Sequence, residues 1–267
     1  MNRMRSEDRR TAHRPSWAWA LVGLAIGACM AALAWAPARW LAAAVHHYSA
    51  GVWQLDDAQG RVWNGSARLS LGPDSASTER RGLPGRLTWT LTPSLAGLDG
   101  SILASCCMKA PLAVHLTPGA ARVTARVDAF ASDLPLGLLA GLGTPWNTID
   151  PQGLLSVQSP GLHVQWALGR WRLDGQLSLE ARDLVVRLSS LQPIGSYRVQ
   201  VQGGDTPSLQ LQTVSGALIL DGRGQWSGGR LHFQGEARAA PSYEDALSNL
   251  LNIVGRRNGA RSIITLG

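Results

Sequence analysis

The short patterns that mark most enzymes are missing from this 267-residue chain. It contains no HExxH, no GxSxG, no CxxC and no phosphate-cradling glycine loop. Its six histidines, at 13, 46, 47, 115, 163 and 232, are scattered, and no close carboxylate pair has a base beside it. Adjacent His46 and His47 would point in different directions from a helix, which disfavours a shared metal. The residues nominate no catalytic group, no cofactor and no metal ligand, so the chain reads as a non-enzyme. Cysteine is scarce as well, with three in all. Cys29 sits in an apolar run and serves there as a small hydrophobe. Cys106 and Cys107 are adjacent, and their spacing leaves three states open: a vicinal disulfide, a bridge to another molecule, or two unpaired or oxidised neighbours.

Clustered charge is also lacking over most of the chain. The net charge is +7, but residues 1–49 hold six arginines against two acids. From Ala50 onward, nineteen Lys/Arg face sixteen Asp/Glu. The arginines there stand singly, whereas nucleic-acid binding calls for a basic stripe. A nucleic-acid partner is excluded.

One stretch has no charge at all. Ser16 to Ala38 reads SWAWALVGLAIGACMAALAWAPA. Such a run predicts a transmembrane helix over 16–38, because about 20 apolar residues at about 1.5 Å rise cross a bilayer core. Trp17 and Trp19 at one end, with Trp35 and Trp40 at the other, mark the two membrane interfaces. The arginine-rich segment 1–15 precedes the run, which keeps the N-terminus cytoplasmic and sends the rest outward. The run is longer than the apolar part of a signal peptide, and Pro37 follows the cleavage-like Ala34-Trp35-Ala36, so the anchor is read as retained. Residues 39–52 then read as a juxtamembrane continuation of the helix.

Beyond Gly51 the apolar period becomes two. Alternation marks strands at 67–71, 87–91, 122–127, 163–166, 171–180, 184–188, 197–202, 208–213, 217–220 and 230–238. Turn pairs such as Pro84-Gly85, Pro160-Gly161, Asp174-Gly175 and Asp221-Gly222 punctuate them. Asp56-Asp57 reads as a solvated loop. The pattern predicts an all-β domain over 53–267, a curved antiparallel sheet built as a meander or an incomplete barrel. Residues 133–142 suggest one or two helical turns. A helix is expected at about 243–254, with Ser242 as N-cap paired with Asp245 and with Leu247, Leu250, Leu251 and Val254 on its buried face. Arg256, Arg257 and Arg261 follow it, either offsetting the helix dipole or contacting a partner or lipid headgroup. The tryptophans in strands, at 63, 89, 166, 171 and 226, read as core or interface anchors.

Six blocks then become specific. They are Arg61-Val-Trp-Asn-Gly-Ser, Leu142-Gly-Thr-Pro-Trp-Asn-Thr-Ile with Pro151 and Gly153, Pro193-Ile-Gly-Ser-Tyr, Gly224-Gln-Trp-Ser-Gly, Arg230-Leu-His-Phe-Gln-Gly-Glu-Ala and Asn249-Leu-Leu-Asn-Ile-Val-Gly-Arg-Arg. In this order, behind one N-terminal apolar helix, they resemble the N protein of the bacterial type II secretion system. The resemblance spans most of residues 50–267 and is weakest at 72–86 and at Cys106-Cys107. It implies a single-pass inner-membrane protein with a periplasmic domain, an accessory part of the machinery that exports folded proteins across the outer membrane. Its implied partners are other inner- or outer-membrane components of that system, together with inner-membrane lipid, and it implies no catalytic residue. Two roles follow: a non-catalytic scaffold or docking subunit, or a groove protein that handles lipid, like the AsmA-type periplasmic proteins. A sheet groove lined without interruption by Leu, Val and Trp and left unfilled would favour lipid. A filled groove would favour a scaffold.

Overall fold

Alternating side chains give one open antiparallel sheet, set out here from the computed structural model, which describes residues 17–73, 80–167, 169–227 and 229–267, side chains of Ala18 and Arg170 apart. The basic segment 1–15 lies outside the described residues. The chain divides into two units, Met1–Ala36 and Pro37–Gly267.

The first unit holds helix α1, Trp17–Ala34, whose described side chains are exposed and apolar. Its 18 residues cover about 27 Å, short of the roughly 30 Å of a bilayer core. Among the described residues no helix is long and apolar enough to cross a membrane. The expected single helix over 16–38 is thus not formed. Trp35 N–H still reaches the Ala31 carbonyl at 3.0 Å, but Pro37 offers no N–H and the helix does not continue through it.

Residues 39–52 do not prolong that helix. A separate helix, α2 (Ala38–Tyr48), begins after Pro37, which sits in extended conformation as its N-cap. Ala38 is buried with Ala67 and Trp89, and Leu41 packs on the same cluster.

Among the described residues the sheet of the second unit has sixteen strands: β1 (Trp53–Gly60), β2 (Asn64–Leu71), β3 (Arg81–Gly82), β4 (Leu87–Ser94), β5 (Gly97–Ala104), β6 (Leu112–Pro118), β7 (Arg122–Val127), β8 (Phe130–Pro135), β9 (Gln152–Ala167), β10 (Arg170–Val185), β11 (Gly195–Gln202), β12 (Ser208–Gly216), β13 (Leu218–Ser227), β14 (Arg230–Ala239), β15 (Arg256–Asn258) and β16 (Arg261–Leu266). Strands adjacent in sequence mostly pair, so the meander is realised. The order runs from β1 to β15 and does not close. Three departures matter. β3 hangs on β2; β7 and β8 share β9, on residues 162–167 and 154–159; and β14 pairs with β16 rather than β15.

Each strand sends alternate side chains to opposite faces. Leu177, Val201 and Leu209 stand opposite one another on one face, as do Leu179, Val199 and Leu211. The other face is Gln, Ser and charge. Three helical pieces cover parts of the apolar face. One is α2. A 3-10 segment, Leu136–Leu142, buries Leu138 against Leu71, Leu83 and Ala104. It leads into the single turn α3, Trp146–Ile149. Helix α4, Glu244–Val254, buries Leu247, Leu250 and Leu251 against Val186, Ile194, Tyr197 and Leu218. Tyr197 is the polar member of that core, and its hydroxyl donates to the Leu218 carbonyl at 2.9 Å. Burial pushes its phenol pKa up.

The cap of α4 differs from the expected one. Tyr243, not Ser242, occupies the N-cap, and no side chain caps the helix. Ser242 has a positive φ of 71° and stands one residue further out. Glu244 and Asp245 still place negative charge in the first turn, where the dipole favours it.

Candidate functional site

The residues singled out from sequence are dispersed over both units. Trp17 and Trp19 are 82% and 78% exposed on the first turn of α1, and Trp35 is 66% exposed just past its end. Trp40 lies on α2 in the second unit, also exposed. Arg256 and Arg257 are exposed on the edge strand β15. They sit in a strand, not at a free helix end. Arg257 Nε donates to the Gly259 carbonyl at 2.7 Å. Arg261, on β16, reaches Glu236 at 3.3 Å.

Cys106 and Cys107 are joined as a vicinal disulfide in the turn after β5. The Cys107 carbonyl accepts the Asp133 N–H at 2.8 Å and the Ser132 hydroxyl at 3.1 Å. That side chain also packs against the cluster of Leu71, Leu83, Ala104 and Leu138. The cysteine turn therefore ties the β5–β6 hairpin to β8.

Asp56-Asp57 is not a loop. Asp56 pairs in register with Arg68 on β2, and Asp57 bulges out of β1 with φ 51°. Arg86 meets its carboxylate at 2.6 Å, which holds Asp57 below the usual carboxylate pKa. The strand tryptophans differ among themselves. Trp89 is buried, while Trp166 and Trp171 face each other across β9 and β10 at 55% and 57% exposure. With Val123 on β7, beside Trp166, they form a stretch of the apolar face outside the three core clusters.

One titratable cluster was invisible in the sequence. Strand register sets His115 opposite Asp99, and its Nδ1 lies 2.7 Å from that carboxylate. Its Nε2 lies 3.4 Å from Asp128, which also meets Arg126 at 3.2 Å. Asp99 first and Asp128 second raise the imidazole pKa, and His115 in turn lowers that of Asp99. A raised histidine pKa contributes stability that is full below the unfolded value near 6.5 and is lost as pH rises through the folded value. The melting temperature is expected to fall from pH 6.5 upward more steeply in the native chain than in His115→Gln. Parallel slopes in the two proteins would remove the cluster from the pH response. Among the described residues no group of three or more His, Cys, Asp and Glu could hold a metal ion.

A wide polar face runs across β9 to β14. Gln158, Ser178, Gln200, Gln210, Arg223 and Gln234 stand opposite one another in successive strands. A recess of about 620 Å³ lies over the first four, and one of about 760 Å³ shares Gln210 and continues past Arg223 and Gln234. A third, about 250 Å³, adjoins at Ser156, Glu180 and Arg198. Glu180 is held there between Arg198 at 2.8 Å and Arg182 at 3.0 Å, and these contacts lower its pKa. Sequence reasoning missed this surface, since each glutamine alone is an ordinary solvent-facing strand residue. The repeated Gln of YRVQVQ and SLQLQT was the signal available.

No curated protein and no solved structure matches the chain. The profile of one family, Type II secretion system (T2SS), protein N, matches residues 51–264. That match covers β1 to β15 whole, β16 as far as Ile264, and three helical elements: the 3-10 segment, α3 and α4. The chain belongs to the family of type II secretion system protein N.

Proposed function

We propose that this chain is an accessory, non-catalytic docking subunit of a type II secretion assembly at the inner membrane. The observation that carries the reading is the family match across the sheet, from residue 51 to residue 264. The architecture supports it. The sheet offers two open edges and a wide polar face, while helical pieces fill parts of its apolar face. Strand addition at an edge, or contacts to the loops, would join it to other components of the system.

The exposed, wholly apolar surface of α1 supports attachment at the inner membrane. The arginine flank supports a cytoplasmic N-terminus and a periplasmic sheet. A periplasm-active reporter is expected to be active after Gly267 and inactive near His13. The reverse pattern would invert the orientation.

The docking role is tested by purifying the tagged full chain from membranes and identifying the proteins and lipids that accompany it. Arg256 and Arg257 serve as the contact candidates on β15. Replacing both with Ala is expected to weaken association with other secretion components while stability stays within about 0.5 kcal/mol, as for exposed sites generally. Unchanged recovery of partners would leave these arginines as ordinary surface charges.

A second reading, lipid handling, draws on one observation: the uncovered apolar stretch at Val123, Trp166 and Trp171. Stoichiometric phospholipid with the purified chain, lost on Trp166→Ala with Trp171→Ala, would favour it over docking.

A further inference from the structure

We propose that the cross-strand row from Gln158 to Gln234 binds a linear, uncharged, N-acetylated glycan. This site is additional to the docking role and does not depend on it.

Chemistry comes first. A glutamine amide offers two donors and one acceptor with two lone pairs. The side chains of Gln158, Gln200, Gln210 and Gln234 are exposed, and among the described residues none of them hydrogen-bonds another group. A second row runs beside the first, with Gln176 opposite Gln202. Arg223 is the one charge in the first row, so the surface suits neutral hydroxyl and acetamido groups better than a polyanion.

Geometry selects among neutral polymers. The row crosses the strands, so its groups repeat at the inter-strand spacing of about 4.8 Å. That spacing is close to the length of one pyranose unit, so successive sugars meet successive strands. An extended polypeptide advances about 3.4 Å per residue and falls out of step with such a row. Peptides also add along a sheet edge, where main-chain groups are free, rather than across a paired face. The backing is rigid, because six hydrogen-bonded strands hold the row in place.

The test uses the purified full-length chain in detergent and insoluble chitin, with soluble N-acetylglucosamine oligomers as competitor. The native chain is expected to sediment with chitin and to be released by the oligomers. Gln200→Ala with Gln210→Ala should weaken retention about tenfold, as the loss of two hydrogen-bonding amides implies. Melting should not change, since both side chains are exposed. Gln59→Ala, on edge strand β1, should bind like the native chain. Failure of the native chain to sediment overturns the proposal, and so does retention of the double variant at the native level. Should the double variant instead lose envelope proteins in membrane pull-downs, with no chitin binding by either form, the row is a protein surface and the glycan assignment is wrong. The assay contains no other secretion component, so a negative result leaves the docking reading to its own test.

Discussion

Leu250→Ala is expected to cost the second unit about 2–5 kcal/mol, the range for truncating a buried leucine. Leu250 is 4% exposed and belongs to the cluster that α4 makes with Val186, Ile194, Tyr197, Leu218 and Ala237. The cost has two parts, the lost transfer energy of the side chain and the cavity left behind. Neighbours such as Tyr197 are pinned by hydrogen bonds and cannot collapse fully into the space. At about 2–4 °C per kcal/mol for a domain of this size, melting should fall by roughly 4–20 °C. Ile253, on the same helix and 56% exposed, is the internal control, and its alanine variant should melt within about a degree or two of the native protein. If Leu250→Ala left melting unchanged but abolished co-purification with other components, α4 would present an interface rather than a core.

Trp89→Ala should be at least as damaging, about 3–5 kcal/mol. The indole is 4% exposed, and its Nε1–H donates to the Val62 carbonyl at 2.9 Å. Its ring lies so close to Gly65 that a Cβ there would stand 2.6 Å from Cζ2. Ala38 and Ala67 complete the cluster, so the ring also seats α2 on the sheet. Removal should therefore unlock α2, seen as loss of amide-exchange protection for residues 40–48 beyond the general drop in melting. Trp89→Phe isolates the hydrogen bond, expected at about 0.5–1.5 kcal/mol plus any packing loss. Retained protection in α2 after Trp89→Ala would show that Leu41 and its neighbours hold the helix unaided.

The legible parts of this fold were those in which one residue's neighbours in sequence are also its neighbours in space. Strand β7 coincides with the alternating segment 122–127, and the apolar face of α4 is the one its spacing implies. Strand β1 was missed because Asp56-Asp57 interrupts its alternation, and the interruption is a bulge instead of an end. Pro160-Gly161 and Asp174-Gly175 carry turn chemistry but lie inside β9 and β10. Gly175 has φ 119°, and a Cβ on it would stand 2.4 Å from the Gly161 carbonyl, so these residues let two long strands deform together without stopping. Asp221-Gly222 misled in another way. The Phe233 ring occupies the space over Gly222, so the glycine there accommodates an aromatic across the strands. The polar row was illegible because it exists only in the register between strands. No single strand contains more than one member of it.

The meander order has a consequence for how the domain can be made. Almost every strand pairs with one just completed, so loop-closure entropy stays small and the sheet has low contact order for an all-β fold. A chain emerging N-terminus first can add one strand at a time to a growing edge, each new strand covering the exposed hydrogen-bonding groups of the last. The sequence of events breaks at the end. β14 must wait while α4 and β15 pass, because its partner is β16. Closure of the final edge and burial of Leu247, Leu250 and Leu251 therefore belong to one late step, and a chain truncated before Arg261 would be left with an unfinished edge on β14 and no strand to complete it.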